Sequence, residues 1–144
     1  MELSKAAAEA QRLGQVAFVA TTRPDGRPHL VPVLVAWHAD AVYAFVSTNS
    51  VKVRNVRSNP NVMVHWQVSQ DTNLDSLIVE GKAEIVDTTE GRRALWDKMG
   101  YECAAFEPGG PEASTHVFMR VVPDRVTFLK MYGTQGREVW NRPS

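Results

Sequence analysis

The chain has 144 residues, 44% of them hydrophobic and 22% charged, with sixteen Lys and Arg balancing sixteen Asp and Glu. That fits one domain spanning 1–144, with core enough to fold unaided, and the zero net charge excludes a chain-wide field that would gather nucleic acid. A lone cysteine, Cys103, excludes intrachain disulfides and zinc sites built on cysteine pairs, and no apolar run approaches the ~20 residues of a membrane helix.

No metal site is expected. The first fifteen residues, MELSKAAAEAQRLGQ, lack the charged-then-apolar layout of a secretion signal. The expected address is therefore the cytoplasm, in keeping with the lone thiol.

Taken in chain order, residues 2–13 are alanine-rich, with Leu3, Ala7, Ala10 and Leu13 near helical spacing, and Gly14 ends that helix. Residues 15–22 alternate as a strand. Arg23-Pro24-Asp25-Gly26 is a turn, and 29–37 form a second strand. Pro32 in its middle cannot donate to a ladder, so it should sit at an edge, a bulge or a ligand-facing point. His38-Ala39-Asp40 leads into a third strand, 41–47. Residues 50–57 read as a short helix with Ser50 as N-cap, stopped by Asn59-Pro60. Strands follow at 62–68 and 76–87, the second with Gly81 as a bulge or bend. A helix runs from Thr88 or Thr89 to about Met99, with Leu95, Trp96 and Met99 on its buried side. Residues 100–113 form a loop. Two last strands, 115–122 and 125–132, are joined by a tight turn at Pro123-Asp124, and 133–144 form a polar tail.

The first three strands are joined too tightly for parallel crossovers. The expected fold is therefore mainly β, with about seven mostly antiparallel strands and three short helices, arranged as a barrel or a sandwich. Trp37, Trp66 and Trp140 are candidates for exposed positions that would pair two copies.

One stretch carries chemistry. Ser47-Thr48-Asn49-Ser50 ends a strand where a helix begins, and Lys52, Arg54 and Arg57 follow at once. The first N–H groups of a helix lack internal partners and carry the positive end of its dipole, which makes such a start a phosphate site. The hydroxyls of 47, 48 and 50 can donate, and Lys52 and Arg54 add charge. On the residues alone a second reading stands beside this one: Ser50 caps a helix, and the cations form a solvated face.

Three segments carry a resemblance: Asp25 to Val33, the Ser47 to Pro60 run just described, and Val79 to Val86 followed by a helix. Together they are similar, in order and spacing, to the pyridoxamine 5'-phosphate oxidase-like superfamily, whose fold is the split β-barrel, and especially to its branch of flavin/deazaflavin-dependent oxidoreductases. The resemblance implies a homodimer with the flavin at the interface. Val31, Pro32, Val33 and Leu34 would face the ring. Ser47, Thr48, Ser50, Lys52 and Arg54 would hold the phosphate and ribityl chain. Asn55 would fix the loop, and Trp66 and Trp140 would be further contacts or simple packing.

FMN is the first choice of cofactor, because its single phosphate needs nothing beyond the loop. Coenzyme F420 is the second, with Arg23, Arg27, Arg54 and Arg57 available to its oligoglutamate tail. The implied reaction is hydride transfer between the ring and a small organic substrate. The cofactor carries that chemistry, and the protein supplies grip and orientation. No triad or carboxylate pair identifies an acid or base, so Tyr43, His29 and His65 stand only as candidates. The family's named enzyme ends in an Arg-x-His motif. Here the tail reads Gly136 to Arg142 without one, so vitamin B6 oxidation is not expected. The rival readings are a non-enzymatic flavin carrier or sensor, and haem handling by His29, His38, His65 or His116.

Overall fold

The computed structural model of the chain describes residues 1–144. Its elements are helix α1 (Leu3–Leu13), strands β1 (Val16–Thr22), β2 (Pro28–His38) and β3 (Ala41–Ser47), helix α2 (Val51–Ser58), strands β4 (Asn61–Trp66) and β5 (Ser76–Val86), helix α3 (Thr89–Leu95), and strands β6 (His116–Lys130) and β7 (Gly136–Asn141). The sheet order is β3-β2-β1-β4-β5-β6-β7, all neighbours antiparallel, and β3 also pairs with β6. Six strands thus close into a barrel and β7 extends it. This is the split β-barrel, mainly β, with seven strands and three helices. No helix is long and apolar enough to cross a membrane.

The core follows from period-two patterning. Ala17 and Val19 of β1, Val62 and Val64 of β4, and Leu77 and Val79 of β5 point inward and are almost fully buried. α1 closes one end with Ala6, Ala10 and Leu13, and α2 packs Val53 and Val56 against β1 and β5. A second cluster lies outside the barrel under α3, where Tyr43, Leu95, Met99, Cys103 and Phe118 meet. Burial pushes the Cys103 thiol up to about 11, helped by Glu102, so it packs as a small apolar group.

Three expectations change. The two strands expected over 115–132 are one continuous strand, β6 (His116–Lys130), followed by a turn at Met131–Gly133. The Pro123-Asp124 signal is a bulge. Glu80 pairs with Arg125 and Gly81 with Pro123, so Asp124 has no partner across the ladder. Glycine is required opposite, since a Cβ at Gly81 would lie 2.2 Å from the Val122 carbonyl oxygen. The polar tail is also not a tail: β7 pairs along Arg125–Lys130, and Arg142 is anchored by its Nε to the Pro123 carbonyl at 2.9 Å. The count of seven strands therefore holds with a different seventh member. Finally, α3 ends at Leu95 and not Met99. The chain from Trp96 turns back through Gly100, whose φ of +73° favours glycine.

Two strained turns meet at the Ser76 end of the barrel. Asn73, Leu74, Met131 and Tyr132 all have positive φ, a costly conformation for residues with a side chain. Asp75 holds them. It accepts from the Met131 N–H at 3.0 Å, the Arg12 guanidinium at 2.6 Å and the Asn73 amide at 3.4 Å. Burial alone would raise this carboxyl, but those three donors outweigh it and hold it below its ordinary value. The resulting stability is complete above the unfolded carboxyl's value of about 3.9 and is lost as pH falls toward the lower folded value. Asp75→Ala should lower unfolding free energy by about 2–3 kcal/mol at neutral pH. In urea titrations the wild type should converge on the variant as the solution is acidified.

Candidate functional site

The site begins where a ladder stops. β2 pairs with β3 only from Val35 to His38, against Ala41 to Ala44, while its other edge stays paired with β1 from Pro28 to Leu34. The Val35 N–H donates to the Gln15 carbonyl at 2.8 Å. By antiparallel alternation the N–H groups of 31, 33 and 35 therefore turn toward β1, and those of 30, 32 and 34 turn toward the open edge. Pro32 falls on the open side, so its missing donor deprives no partner.

Tyr101 fills the next position of the parted ladder. Its hydroxyl accepts from the Phe45 N–H at 3.3 Å and donates to the Leu34 carbonyl at 3.2 Å. It thus substitutes for a direct Leu34–Phe45 rung and keeps the strands apart. Burial pushes this hydroxyl up to about 12, so it remains a donor at all ordinary pH.

Beyond Tyr101 the parting widens into a groove of about 410 Å³. Pro32, Val33 and Leu34 form one wall. Phe45, Val46, Ser47 and Lys52 form the other, with Val16, Tyr101 and Phe106 completing the lining. The walls are apolar except at the end where α2 begins. There Ser50 caps the helix, its hydroxyl accepting from the Val53 N–H at 3.4 Å. The N–H groups ahead of that bond lack intrahelical acceptors and concentrate positive potential. Lys52 is half-buried, and burial holds its ammonium below its ordinary value. His29 is likewise held below its ordinary value, by burial first and then by Arg23 and Lys52 nearby, and its Nδ1 is buried without a hydrogen-bond partner. Cationic groups thus gather at one end of an apolar slot with no carboxylate among its lining residues.

Of the residues expected at a flavin, Pro32, Val33, Leu34, Ser47 and Lys52 line this groove. The others have different roles. Val31 packs against the barrel core. Thr48 donates through Oγ1 to the Ser114 carbonyl at 2.5 Å, and Arg54 donates to the Asn49 carbonyl at 3.1 Å. Asn55 is buried and donates to Thr21 Oγ1 at 3.0 Å, which ties the loop to β1. Trp66 is 1% exposed and packs beside Trp37 in the core, so it is not one of the exposed positions suggested above. Trp140 is half-buried against the core edge, with Arg142 5.7 Å over its ring.

The acid–base candidates also separate. Tyr43 is buried and accepts from Arg120. His65 faces outward from β4 and meets Ser76 Oγ at 2.6 Å. Five aromatic or apolar lining residues, Val16, Phe45, Val46, Tyr101 and Phe106, were not among the residues expected at the site. Tyr101 and Phe106 lie in a Gly- and Pro-rich loop whose path no local pattern reveals.

A small apolar slot ending in a cationic helix start lies on a closed antiparallel barrel of the split β-barrel class. The family model for pyridoxamine 5'-phosphate oxidase matches residues 3–130, and the chain belongs to that family. No curated protein matches. Among solved structures, a pyridoxamine 5'-phosphate oxidase-related, FMN binding protein from Nostoc punctiforme is 16% identical, with 100% of this chain and 98% of that chain covered at a TM-score of 0.73. An F420 reductase is 26% identical over 78% of this chain and 88% of its own, with a TM-score of 0.60. A heme binding protein from Mycobacterium smegmatis is 18% identical, covering 98% of this chain but 58% of that chain, with a TM-score of 0.74.

Tyr101→Phe should leave the fold intact while orphaning the Phe45 N–H and the Leu34 carbonyl, at a cost of about 1–3 kcal/mol. Hydrogen exchange read residue by residue should show selectively faster exchange at Phe45.

Proposed function

We propose that this protein is a flavin-dependent oxidoreductase that binds FMN, or in second place coenzyme F420, and reduces or oxidises a small organic substrate. The carrying observation is the groove itself: an apolar slot bounded by the open edge of β2, with Lys52 and the start of α2 at one end. A flat ring fits between Pro32 and Phe45, and the edge groups of Leu30 and Pro32 are free to meet its polar rim. A phosphate would meet Lys52, Ser47 and the first N–H groups of α2, with the orphaned His29 Nδ1 close by. When bound, the flavin supplies hydride chemistry. The chain's own part is to grip the phosphate, align the ring and exclude water with Phe106 and Tyr101.

FMN stays ahead because the positive surface is small. Arg57 is paired with Asp87 at 2.9 Å and Arg27 lies 3.9 Å from Asp25, which leaves Arg23 and Arg54 for a longer anionic tail. The 26% identity to an F420 reductase keeps the deazaflavin second. For haem handling, two of the four histidines are already engaged: His65 by Ser76, and His116 by stacking on Phe45 at 4.8 Å.

The active form is a homodimer in this proposal. On the outer sheet face, Leu30, Ala20 and Met63 stand in one cross-strand row, and Pro32, Phe18, His65 and Ile78 in the next. Leu30 and Met63 are 63% and 41% exposed. This face runs into the groove through Val16 and Pro32, so a second copy seated on it would close the slot.

Titration with FMN and with F420, followed by fluorescence, should show saturable binding of at least one. Lys52→Ala should weaken it about tenfold to a hundredfold. Absence of binding by both cofactors would overturn the assignment. Binding without turnover of any quinone, nitro compound or conjugated enone would leave a carrier instead of an enzyme. Light scattering should give a dimer for the wild type and a folded monomer for Met63→Glu, with weakened cofactor binding.

A further inference from the structure

A second and larger cavity lies beside the groove, and no residue expected of a cofactor site except Trp66 borders it. It is a cleft of about 530 Å³, within the about 300–1,000 Å³ of small-molecule sites. Its back wall is the alanine face of α1, where Ala7, Ala8 and Ala10 leave the space unfilled. Its floor is Trp66 and Trp37, ring centroids 6.3 Å apart and tilted by 31°.

The cleft and the groove are divided by a single thickness of chain. Consecutive residues border the two spaces: Gln15 and Val16, Val35 and Leu34, Gly100 and Tyr101. The crossing is pinned by the Gln15 Nε2 bond to the Gly100 carbonyl at 3.0 Å and by the Tyr101 bond to Leu34.

The charge of the cleft is one-sided. Lys98 is the sole charged residue in its lining, and no carboxylate faces it. The ammonium has only its chain neighbour Asp97, 3.7 Å away, whose side chain is 78% exposed and outside the lining. Aromatic floor, methyl wall and one cation together select a flat apolar body bearing one negative charge. We infer that this cleft binds a planar aromatic carboxylate of one or two rings, with the rings over Trp37 and the carboxylate toward Lys98. Any coupling of this ligand to the neighbouring groove, across the shared chain, rests on the flavin reading above. The binding itself does not.

Anilinonaphthalene sulfonate serves as the probe, with naphthoate as competitor. The wild type should bind the probe saturably, quench tryptophan fluorescence as it does so, and release the probe to naphthoate. Ala7→Phe, which fills the cleft, and Lys98→Met, which removes its charge, should each weaken the probe by about tenfold or more with thermal melts that show a folded protein. If Ala7→Phe does not fold, Ala8→Phe from the exposed side of the same wall replaces it. FMN titration of these variants should match the wild type. No saturable binding, or affinity unchanged by filling and by charge removal, overturns the site. Failure of both FMN and F420 to bind, with probe binding behaving as stated, overturns only the flavin reading.

Discussion

The parting of β2 from β3 is the constraint on which the site depends. An antiparallel hairpin that zipped fully would bury the edge of β2 against β3 and leave no slot. Here the ladder ends at Val35 and Ala44, and the Tyr101 hydroxyl satisfies the next donor and acceptor in place of a direct bond. An unmade backbone bond in a half-buried place is costly, so a parted hairpin needs such a substitute. Pro32 relieves the same difficulty one step further along by having no N–H to satisfy. The barrel can then close through β3 and β6 while the edge of β2 stays open.

What the open edge admits is set by the helix start beside it. A protein of zero net charge can hold an anion only where cations are gathered locally. α2 gathers them through its first N–H groups and Lys52, with His29 and Arg23 adjacent. The arrangement is desolvated enough to lower Lys52 and His29 below their ordinary values. An anion would relieve that penalty, since a nearby negative charge favours the protonated forms. In the function proposed above, the same groove has a flat apolar middle for a ring and an exposed apolar flank for a second copy. The chemistry and the assembly then follow from one geometric fact.

Much of this was legible in the sequence, where the physics is local. Ser50 as an N-cap, Pro32 at a strand edge and Gly81 as a bulge each follow from the donors, acceptors or Cβ atoms of those residues, and each stands in the structure in that role. What escaped depends on contacts distant in the chain. Pro123-Asp124 has the chemistry of a turn, but its pairing with Gly81 makes it a bulge. Residues 136–141 are too polar to announce a strand, and they become one because β6 offers an unpaired edge. Tyr101 reaches the parted ladder across more than fifty positions of sequence. The burial of Trp66 is likewise invisible locally, since alternation along β4 does not say which face the barrel encloses.

The most direct measurement is a crystal structure of the protein grown with FMN. The expected result is a dimer with one FMN per chain and the phosphate within hydrogen-bond reach of Lys52 Nζ and the first N–H groups of α2. Its ring would lie against Pro32, and Tyr101 would still bridge Leu34 and Phe45. A phosphate bound away from α2, or strands β2 and β3 zipped through Leu34 and Phe45 with the groove closed, would contradict it.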